Sequence, residues 1–354
     1  MSGVVLRRVS RCAVVLLCLA GAALTQAREV VGAGASFPSK VYERWASAYA
    51  ERPDAAIVRY RATGSGDGIK QITARSVAFA GTDSPLSAAE LAQRKLVQIP
   101  MVVGGVVPVV NLPGVAPHAL KLTGDVLADL MTGRIALWND PRVAALNPGL
   151  ALPRLAVRRI VRAEKSGTTE GYTRYLSRVS AVFQATVGIG QLPRWGEGVT
   201  AAEGNDGVAR AVKSTPGAIG YVSYDRVLRD GLTPVSLRNA AGRYVRADER
   251  AFRAAIMESD LQRLGDDTAS VLDRPGSGSW PITLVTFVLV DARPQDAGPT
   301  QAALRFLYWA FMHGDELTRG TGFAPLPLSV QSRAAGRFGQ VRDREGLTLR
   351  YTDL

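Results

Sequence analysis

The sequence predicts an α/β fold with mainly parallel sheets, because short apolar runs alternate with segments of helical periodicity. AAIVRY (55–60) and SVAFAG (76–81) have the composition of strands. The segment SKVYERWASAYA (39–50) is predicted to be a helix, since one face collects Val41, Trp45, Ala48 and Tyr49.

The same alternation continues toward the C-terminus. VVGGVVPVVN (102–111) predicts a buried strand region broken by glycines and a proline, and GAIGYVSYDRV (217–227) predicts a strand followed by a turn. WPITLVTFVLV (280–290) is a long β-rich run, and ALRFLYWAFMHG (303–314) predicts an apolar-faced helix with Gly314 as its C-cap. Ligands in α/β folds bind where strand C-termini meet helix N-termini.

The first 27 residues have the pattern of a secretory signal peptide. A basic start with Arg7, Arg8 and Arg11 precedes an apolar run from 12 to 24, which is short for a bilayer span. Thr25-Gln26-Ala27 fits a cleavage site, so we expect a cleaved segment 1–27 and a periplasmic protein. An uncleaved membrane anchor is the alternative.

Composition limits the possible functions. Cleavage removes three arginines and both cysteines, Cys12 and Cys18, which leaves a formal charge of +9 and no disulfide. The two histidines, His118 and His313, are too few and too far apart in sequence for the ligand cluster of a zinc site. The positive charges are scattered and no aromatic-and-basic module is visible, so we expect no nucleic-acid partner.

Two glycine-rich segments precede predicted helices. In VGAGASFPSKVYERW (31–45), Ser36, Phe37 and Pro38 open the helix, where free backbone N–H groups favour an anion. In YRATGSGDGIKQITA (60–74), Ser65 lies among glycines whose bare amides suit an anion nest, while the nucleotide-loop patterns are not matched. An ordinary cap at Ser36 and a flexible surface turn at Ser65 are the alternatives.

Asp83 follows the strand of VAFAGTDSPLS (77–87) directly. An ionised carboxylate only accepts hydrogen bonds, so it can bind a P–OH group but repels a fully deprotonated anion. A local turn or helix cap is the structural alternative.

The segment VRAEKSGTTEGYTRYLSRV (161–179) places many hydrogen-bond donors before an amphipathic helix. Arg162 can offer two parallel N–H groups to an oxyanion, Ser166 and Thr168 add hydroxyls, and Gly167 allows close backbone approach. Glu164 is placed to hold the guanidinium. The alternatives are a surface Arg162 and a simple helix cap at Ser166.

Six blocks in order give this chain a close resemblance to the periplasmic phosphate-binding proteins of bacterial phosphate ABC transporters, the PstS-like family. They are GAGASFPSKVYERWASAY, GSGDGIKQI, FAGTDSPLS, RAEKSGTTEGYTRYL, EGNDGVARAVKSTPGAIGYVSYDRV and WPITLVTFVLV. The likeness runs from about Val31 to near the C-terminus.

The resemblance implies a type II periplasmic-binding-protein fold, with two α/β lobes, a two-stranded hinge and a ligand cleft. Residues 28–111 with 284–354 would form lobe 1, and 112–283 would form lobe 2. It also implies phosphate contacts at the residues that match the family's site: Ser36, Phe37 through its backbone amide, Ser65, Asp83, Arg162, Ser166, Gly167 and Thr168.

Three positions depart from the family pattern. Ser36 stands where threonine is common, Glu164 replaces the common aspartate beside the arginine, and Lys165 replaces a common glycine. Glu164 is therefore expected to support Arg162 in its own way, and Lys165 adds a positive charge near the site.

The resemblance implies a monomeric binder that delivers inorganic phosphate to membrane permease subunits, without cofactor, metal or catalysis. The alternatives are an exported enzyme such as a phosphatase, a binder of another tetrahedral oxyanion, and a phosphate-binding protein used in adhesion or signalling. The sequence has no G-x-S-x-G motif and almost no histidine, which disfavours the enzyme.

Overall fold

A computed structural model describes residues 29–53, 55–264 and 269–352. The predicted signal peptide, 1–27, lies outside the described residues. The strands are β1 Glu29–Gly34, β2 Ile57–Ala62, β3 Phe79–Thr82, β4 Leu96–Val110, β5 Lys121–Leu122, β6 Arg158–Arg162, β7 Val199–Ala202, β8 Ala218–Ser223, β9 Thr233–Pro234, β10 Ser236–Arg238, β11 Tyr244–Val245, β12 Thr283–Asp291 and β13 Phe323–Pro325. The helices are α1 Ser39–Tyr49, α2 Ser65–Thr73, α3 Ala88–Arg94, α4 Gly124–Thr132, α5 Pro141–Leu146, α6 Gly167–Val179, α7 Ala181–Thr186, α8 Gly204–Ser214, α9 Tyr224–Asp230, α10 Glu249–Met257, α11 Asp260–Arg263, α12 Ala297–Thr318 and α13 Leu328–Phe338.

The α/β class is confirmed, but the large sheet is mixed rather than mainly parallel. Its order is β2-β1-β3-β12-β4-β8-β6-β7, and β13 and β9 also pair with β4. The pairs within β2-β1-β3 and within β8-β6-β7 are parallel, whereas β12, β13, β8 and β9 pair antiparallel with their neighbours β3 or β4. We call β1–β3, β12, β13 and the start of β4 the first half-sheet, and β6–β9 with the end of β4 the second.

Strand β4 joins the two half-sheets. Its 15 residues are all buried and apolar or small apart from Gln98, which fits a strand covered on both faces. Residues 96–105 pair with β12, and 106–110 pair with β8. The glycines and Pro108 therefore do not break this strand, contrary to the sequence prediction. The strand continues through them because β12 and β8 pair with β4 on both sides of the junction.

The segment from Trp280 to Ile282 lies beside β4 where the two half-sheets meet. The N–H of Val106 donates to the carbonyl of Ile282 at 2.8 Å, and Trp280 Nε1 donates to the carbonyl of Val106 at 3.0 Å. Both connections between the half-sheets thus lie side by side at this point.

Two local predictions were wrong. The segment after β8 forms helix α9 instead of a turn. Helix α12 continues through Gly314 to Thr318, so Gly314 is not a C-cap. A Cβ at Gly314 would lie 2.7 Å from Trp45 Nε1, which shows that this glycine lets α1 approach α12 closely.

No helix within the described parts of the chain is long and apolar enough to cross a bilayer.

The junction gives a stability prediction. A Cβ at Gly105 would lie 2.1 Å from the ring of Phe252, which is fully buried on α10. We expect Gly105→Ala to lower the free energy of unfolding by about 1–3 kcal/mol through overpacking. Urea denaturation would measure this, with Gly278→Ala as the control, since a Cβ there meets no atom within 4 Å. Equal stability of the two variants would contradict the packing argument.

Candidate functional site

The predicted site residues come together at the carboxyl ends of four strands. Ser36 follows β1, Ser65 begins α2 after β2, and Asp83 follows β3. On the second half-sheet, Arg162 ends β6, and helix α6 begins five residues later at Gly167. Within each half-sheet the parallel strands end at one edge. Because β3 runs in the same direction as β4 and β8 runs against it, both edges face the junction between the half-sheets.

The loop before α1 is fixed by apolar packing. Phe37 is fully buried and its ring meets that of Phe323 edge to face, with centroids 5.1 Å apart. Helix α1 begins only at Ser39, with Pro38 at its N-cap position, so Ser36 is not the cap of this helix. The cap alternative for Ser36 is therefore wrong, and its side chain is available for other contacts.

Ser65 is in the first turn of a helix rather than in a flexible turn. The N-cap is Gly64, with a φ of +94° that favours glycine. The N–H groups of the first helical residues have no partner within their own helix. The Ser65 hydroxyl oxygen accepts from the backbone N–H of Asp83 at 3.2 Å, which leaves the hydroxyl hydrogen to donate elsewhere.

Arg162 is buried, with 2% of its surface exposed. Its Nε donates to Glu164 Oε1 at 2.9 Å, as expected, and its Nη2 contacts both Glu164 and the Ser36 hydroxyl, the latter at 3.0 Å. Its Nη1 has no hydrogen-bond partner within the described parts of the chain. The surface alternative for Arg162 is therefore wrong.

Asp83 is also buried, and its two oxygens differ. Oδ2 accepts from the Thr168 hydroxyl at 3.3 Å, whereas Oδ1 has no partner among the described residues. Burial raises the pKa of this carboxyl from 3.8 to about 7, against the opposing effects of the Arg162 charge and the Thr168 hydroxyl.

The start of α6 combines capping with anion-binding geometry. The Ser166 hydroxyl oxygen accepts from the Thr169 N–H at 3.1 Å, so Ser166 is the N-cap of α6, as the structural alternative had it. A Cβ at Gly167 would lie 2.5 Å from Ser65 Oγ and 2.9 Å from Asp83 Cβ. Only glycine therefore allows this helix start to lie so close to the first half-sheet.

Sequence reasoning did not single out Asn205, which is fully buried at the start of α8. Its backbone N–H and its side-chain Nδ2 both donate to Ser36 Oγ, at 3.2 and 3.0 Å. Its position directly after a strand, behind Gly204, is the same signal that identified Ser36 and Ser65.

Glu164 also links two elements. Besides holding Arg162, its Oε1 accepts from the backbone N–H of Gly204 at 3.2 Å, which ties α8 to the end of β6. The stem of Glu164 lies close to Gly64, since a Cβ there would be 2.9 Å from Glu164 Cγ.

A cavity of about 580 Å³ lies beside these residues. Lys70 and Ser84 line it from one side, and Lys165 and Gln191 line it from the other. The backbone carbonyl of Lys165 accepts from the Gly66 N–H at 3.1 Å. The hydroxyls and the guanidinium described above do not line this cavity.

Within residues 29–53, 55–264 and 269–352, no group of three or more His, Cys, Asp or Glu side chains is arranged to hold a metal ion. The interface instead offers the Arg162 guanidinium, several hydroxyls, helix-start amides and the Asp83 carboxyl. This set can surround an oxyanion and accept one proton from it.

Comparison with known proteins gives consistent matches. A family model described as a PBP superfamily domain matches residues 20–313. The phosphate-binding protein PstS of Pasteurella multocida is 39% identical over 326 residues, covering 92% of this chain and 94% of that protein. The protein of the same name from Haemophilus influenzae is 40% identical, covering 87% and 91%.

Solved structures resemble this fold at lower sequence identity. A phosphate-binding protein from Stenotrophomonas maltophilia has a TM-score of 0.67 at 24% identity, covering 88% of this chain and 94% of its own. A high-affinity periplasmic phosphate-binding protein, PfluDING, solved with bound phosphate, has a TM-score of 0.67 at 23% identity, covering 87% and 93%. These likenesses support the type II periplasmic-binding-protein fold.

The Asp83 environment gives a pH prediction. Between about pH 4 and 7 the folded chain keeps a proton that the unfolded chain has lost, so this carboxyl makes stability fall as pH rises through that window. The penalty is then constant above about pH 7, at up to about 4 kcal/mol. We expect Asp83→Asn to remove this penalty. The free energy of unfolding of the variant, relative to that of the wild type, should therefore increase as pH rises from 4 to 8. Urea denaturation in phosphate-free buffer would measure this, and parallel stability curves would contradict it.

Proposed function

The chain belongs to the PBP superfamily and, within it, to the family of the phosphate-binding proteins PstS, and we propose that it binds inorganic phosphate with high affinity and delivers it to an ABC-type importer. One observation supports phosphate as the ligand. A buried guanidinium N–H of Arg162 and a buried carboxylate oxygen of Asp83 both lack partners among the described residues. A protonated oxyanion satisfies both atoms at once, because it offers an acceptor and an O–H donor.

The proposed contacts use donors from both half-sheets. Ser36, the Phe37 amide, Ser65 and Asp83 would contact phosphate from one side, and Arg162, Ser166, Gly167 and Thr168 from the other. The Ser36, Ser65 and Ser166 oxygens each accept an N–H bond, which leaves their hydroxyl hydrogens to donate to the anion. Glu164 would hold Arg162 in place.

The raised pKa of Asp83 is compatible with this contact. A neutral carboxyl beside HPO₄²⁻ and an ionised carboxylate beside H₂PO₄⁻ contain the same number of protons. Either arrangement places one hydrogen between Asp83 and a phosphate oxygen. Sulfate carries no proton near neutral pH, so it binds beside Asp83 only when the carboxyl itself is protonated.

We further propose that the half-sheets are the centres of two lobes that close on the anion. Lobe 1 would comprise 28–111 and 284–354, and lobe 2 would comprise 112–283, with the end of β4, 106–110, extending from lobe 1 into the sheet of lobe 2. The adjacent connections at Val106 and Ile282 would act as the hinge. Release of phosphate would follow opening of the lobes on the permease.

The cellular setting is also proposed. Residues 1–27 would direct export and be removed, which places the protein in the periplasm as a monomeric receptor. Its membrane partner would be the permease of a phosphate ABC transporter. The relatives are named as binding proteins rather than enzymes, so we propose binding without catalysis.

Isothermal titration of the mature chain with phosphate, arsenate and sulfate tests the proposal. Phosphate should bind tightly, arsenate should compete because its size and protonation are similar, and sulfate should bind poorly near neutral pH. Preference for sulfate would favour another oxyanion as the ligand. Hydrolysis of a phosphate ester, abolished by Ser166→Ala, would instead identify an enzyme.

Arg162 provides a direct test of the site. Arg162→Ala removes the buried cation, and we expect phosphate affinity to fall at least about ten-fold. Arg158→Ala is a matched control, because Arg158 is exposed on the same strand. Wild-type affinity in Arg162→Ala would remove this residue from the site.

Asp83 should determine the preference for phosphate over sulfate. The wild-type preference should increase as pH rises above about 7, because ionised Asp83 excludes an anion without a proton. Asp83→Asn should reduce the ratio of phosphate affinity to sulfate affinity and should make this ratio less dependent on pH. Competition titrations between pH 6 and 9 would measure both effects. An unchanged affinity ratio in the variant would contradict selection by Asp83.

A further inference from the structure

Asn205 connects the two sides of the site more extensively than its position in the sequence suggests. It is fully buried in the first turn of α8, on the second half-sheet side. Its N–H and Nδ2 reach Ser36 on the other side, and its Nδ2 is also 3.5 Å from Thr168 Oγ1. The Asn205 side chain therefore contacts the hydroxyl of one proposed site residue on each half-sheet.

The orientation of the Asn205 amide is fixed by a third contact. Its Oδ1 accepts from the backbone N–H of Ser223 at the end of β8, at 2.9 Å. A flipped amide would place an NH₂ group against this N–H. The Asn205 NH₂ group must therefore face Ser36 and Thr168.

The Ser36 oxygen is consequently surrounded by donors. Arg162 Nη2, the Asn205 N–H and Asn205 Nδ2 approach it at 3.0, 3.2 and 3.0 Å. A hydroxyl oxygen has only two acceptor sites, so these three N–H groups compete for them and leave neither free. The hydroxyl hydrogen must point away from all three.

We propose that Asn205 is a positioning residue of the anion site, which directs the Ser36 hydroxyl hydrogen toward the ligand and holds the two lobes together across the cleft. The inference rests on the proposed function, since it assumes an anion between the lobes. It adds a residue that does not itself need to touch phosphate. Its effect on affinity is exerted through Ser36.

A purely structural asparagine predicts something different. If Asn205 only stabilised the start of α8, its removal would weaken the fold, and the effect on affinity would be independent of Ser36. A positioning residue instead loses its effect on affinity when the Ser36 hydroxyl is absent.

The test is a double-mutant cycle on phosphate affinity, measured by isothermal titration of the mature chain. We expect Asn205→Ala to weaken binding about ten-fold, a partial loss because the backbone N–H of residue 205 still contacts Ser36. Ser36→Ala should weaken binding at least as much. The double variant should resemble Ser36→Ala alone, whereas a loss equal to the product of both single effects would overturn the inference.

Asn111→Ala is the matched control. The Asn111 amide donates to the carbonyls of Val212 and Lys213 at the other end of α8, at 3.0 and 2.9 Å. We expect this variant to lose stability without losing phosphate affinity. An equal loss of affinity in Asn111→Ala and Asn205→Ala would show that α8 stability alone is responsible, and would overturn the proposal.

Asn205→Asp keeps the test decisive if the alanine variant does not fold. It retains the size of the side chain and the oxygen that accepts from Ser223. Its carboxylate would accept the Ser36 hydroxyl hydrogen and turn it away from the anion, so its affinity loss should be several-fold larger with Ser36 present than in Ser36→Ala. An equal loss in both backgrounds would overturn the inference. A wild-type chain that does not bind phosphate would instead refute the proposed function.

Discussion

The site is organised around a buried positive charge. Burying a guanidinium is costly unless its N–H groups are bonded and its charge is compensated. In this chain Glu164 compensates Arg162 on one edge and Ser36 bonds Nη2, but Nη1 remains without a partner among the described residues. The fold thus buries a cation that still lacks one hydrogen-bond acceptor. An oxyanion would supply that acceptor, and the surrounding hydroxyls and amides would bind its other oxygens.

A carboxyl beside an anion site is reasonable only because of the same burial. Loss of water disfavours ionised Asp83, and its pKa rises to about 7, within the range where phosphate also exchanges a proton. Two groups with similar proton affinity can share one hydrogen in a short contact. An anion without a proton lacks that arrangement, so the cost of desolvating Asp83 would be the basis of the proposed selectivity for phosphate.

Much of the site could be predicted from sequence, because its groups follow local rules for strand ends and helix starts. The N-cap at Ser166 and the Glu164–Arg162 contact are examples. Features that depend on distant packing could not be predicted. Gly314 resembles a helix C-cap, but its contact with Trp45, 269 residues away, determines its position. The position of Asn205 after a strand and a glycine was a usable local signal, but its contacts with Ser36 and Ser223 depend on distant packing.

The division of the site between the half-sheets explains how tight binding is compatible with release. Apart from Arg162 and Asp83, the groups proposed to contact the anion are neutral hydroxyls and amides, so each contact is individually modest. They act together only while the first half-sheet lies against the second, as the bonds of Ser36 to Arg162 and Asn205 require. In the proposed closure mechanism, separation of the lobes would remove half of the contacts at once and let water reach the anion. The proposed permease would then need only to stabilise the open form, because affinity depends on the fraction of closed molecules.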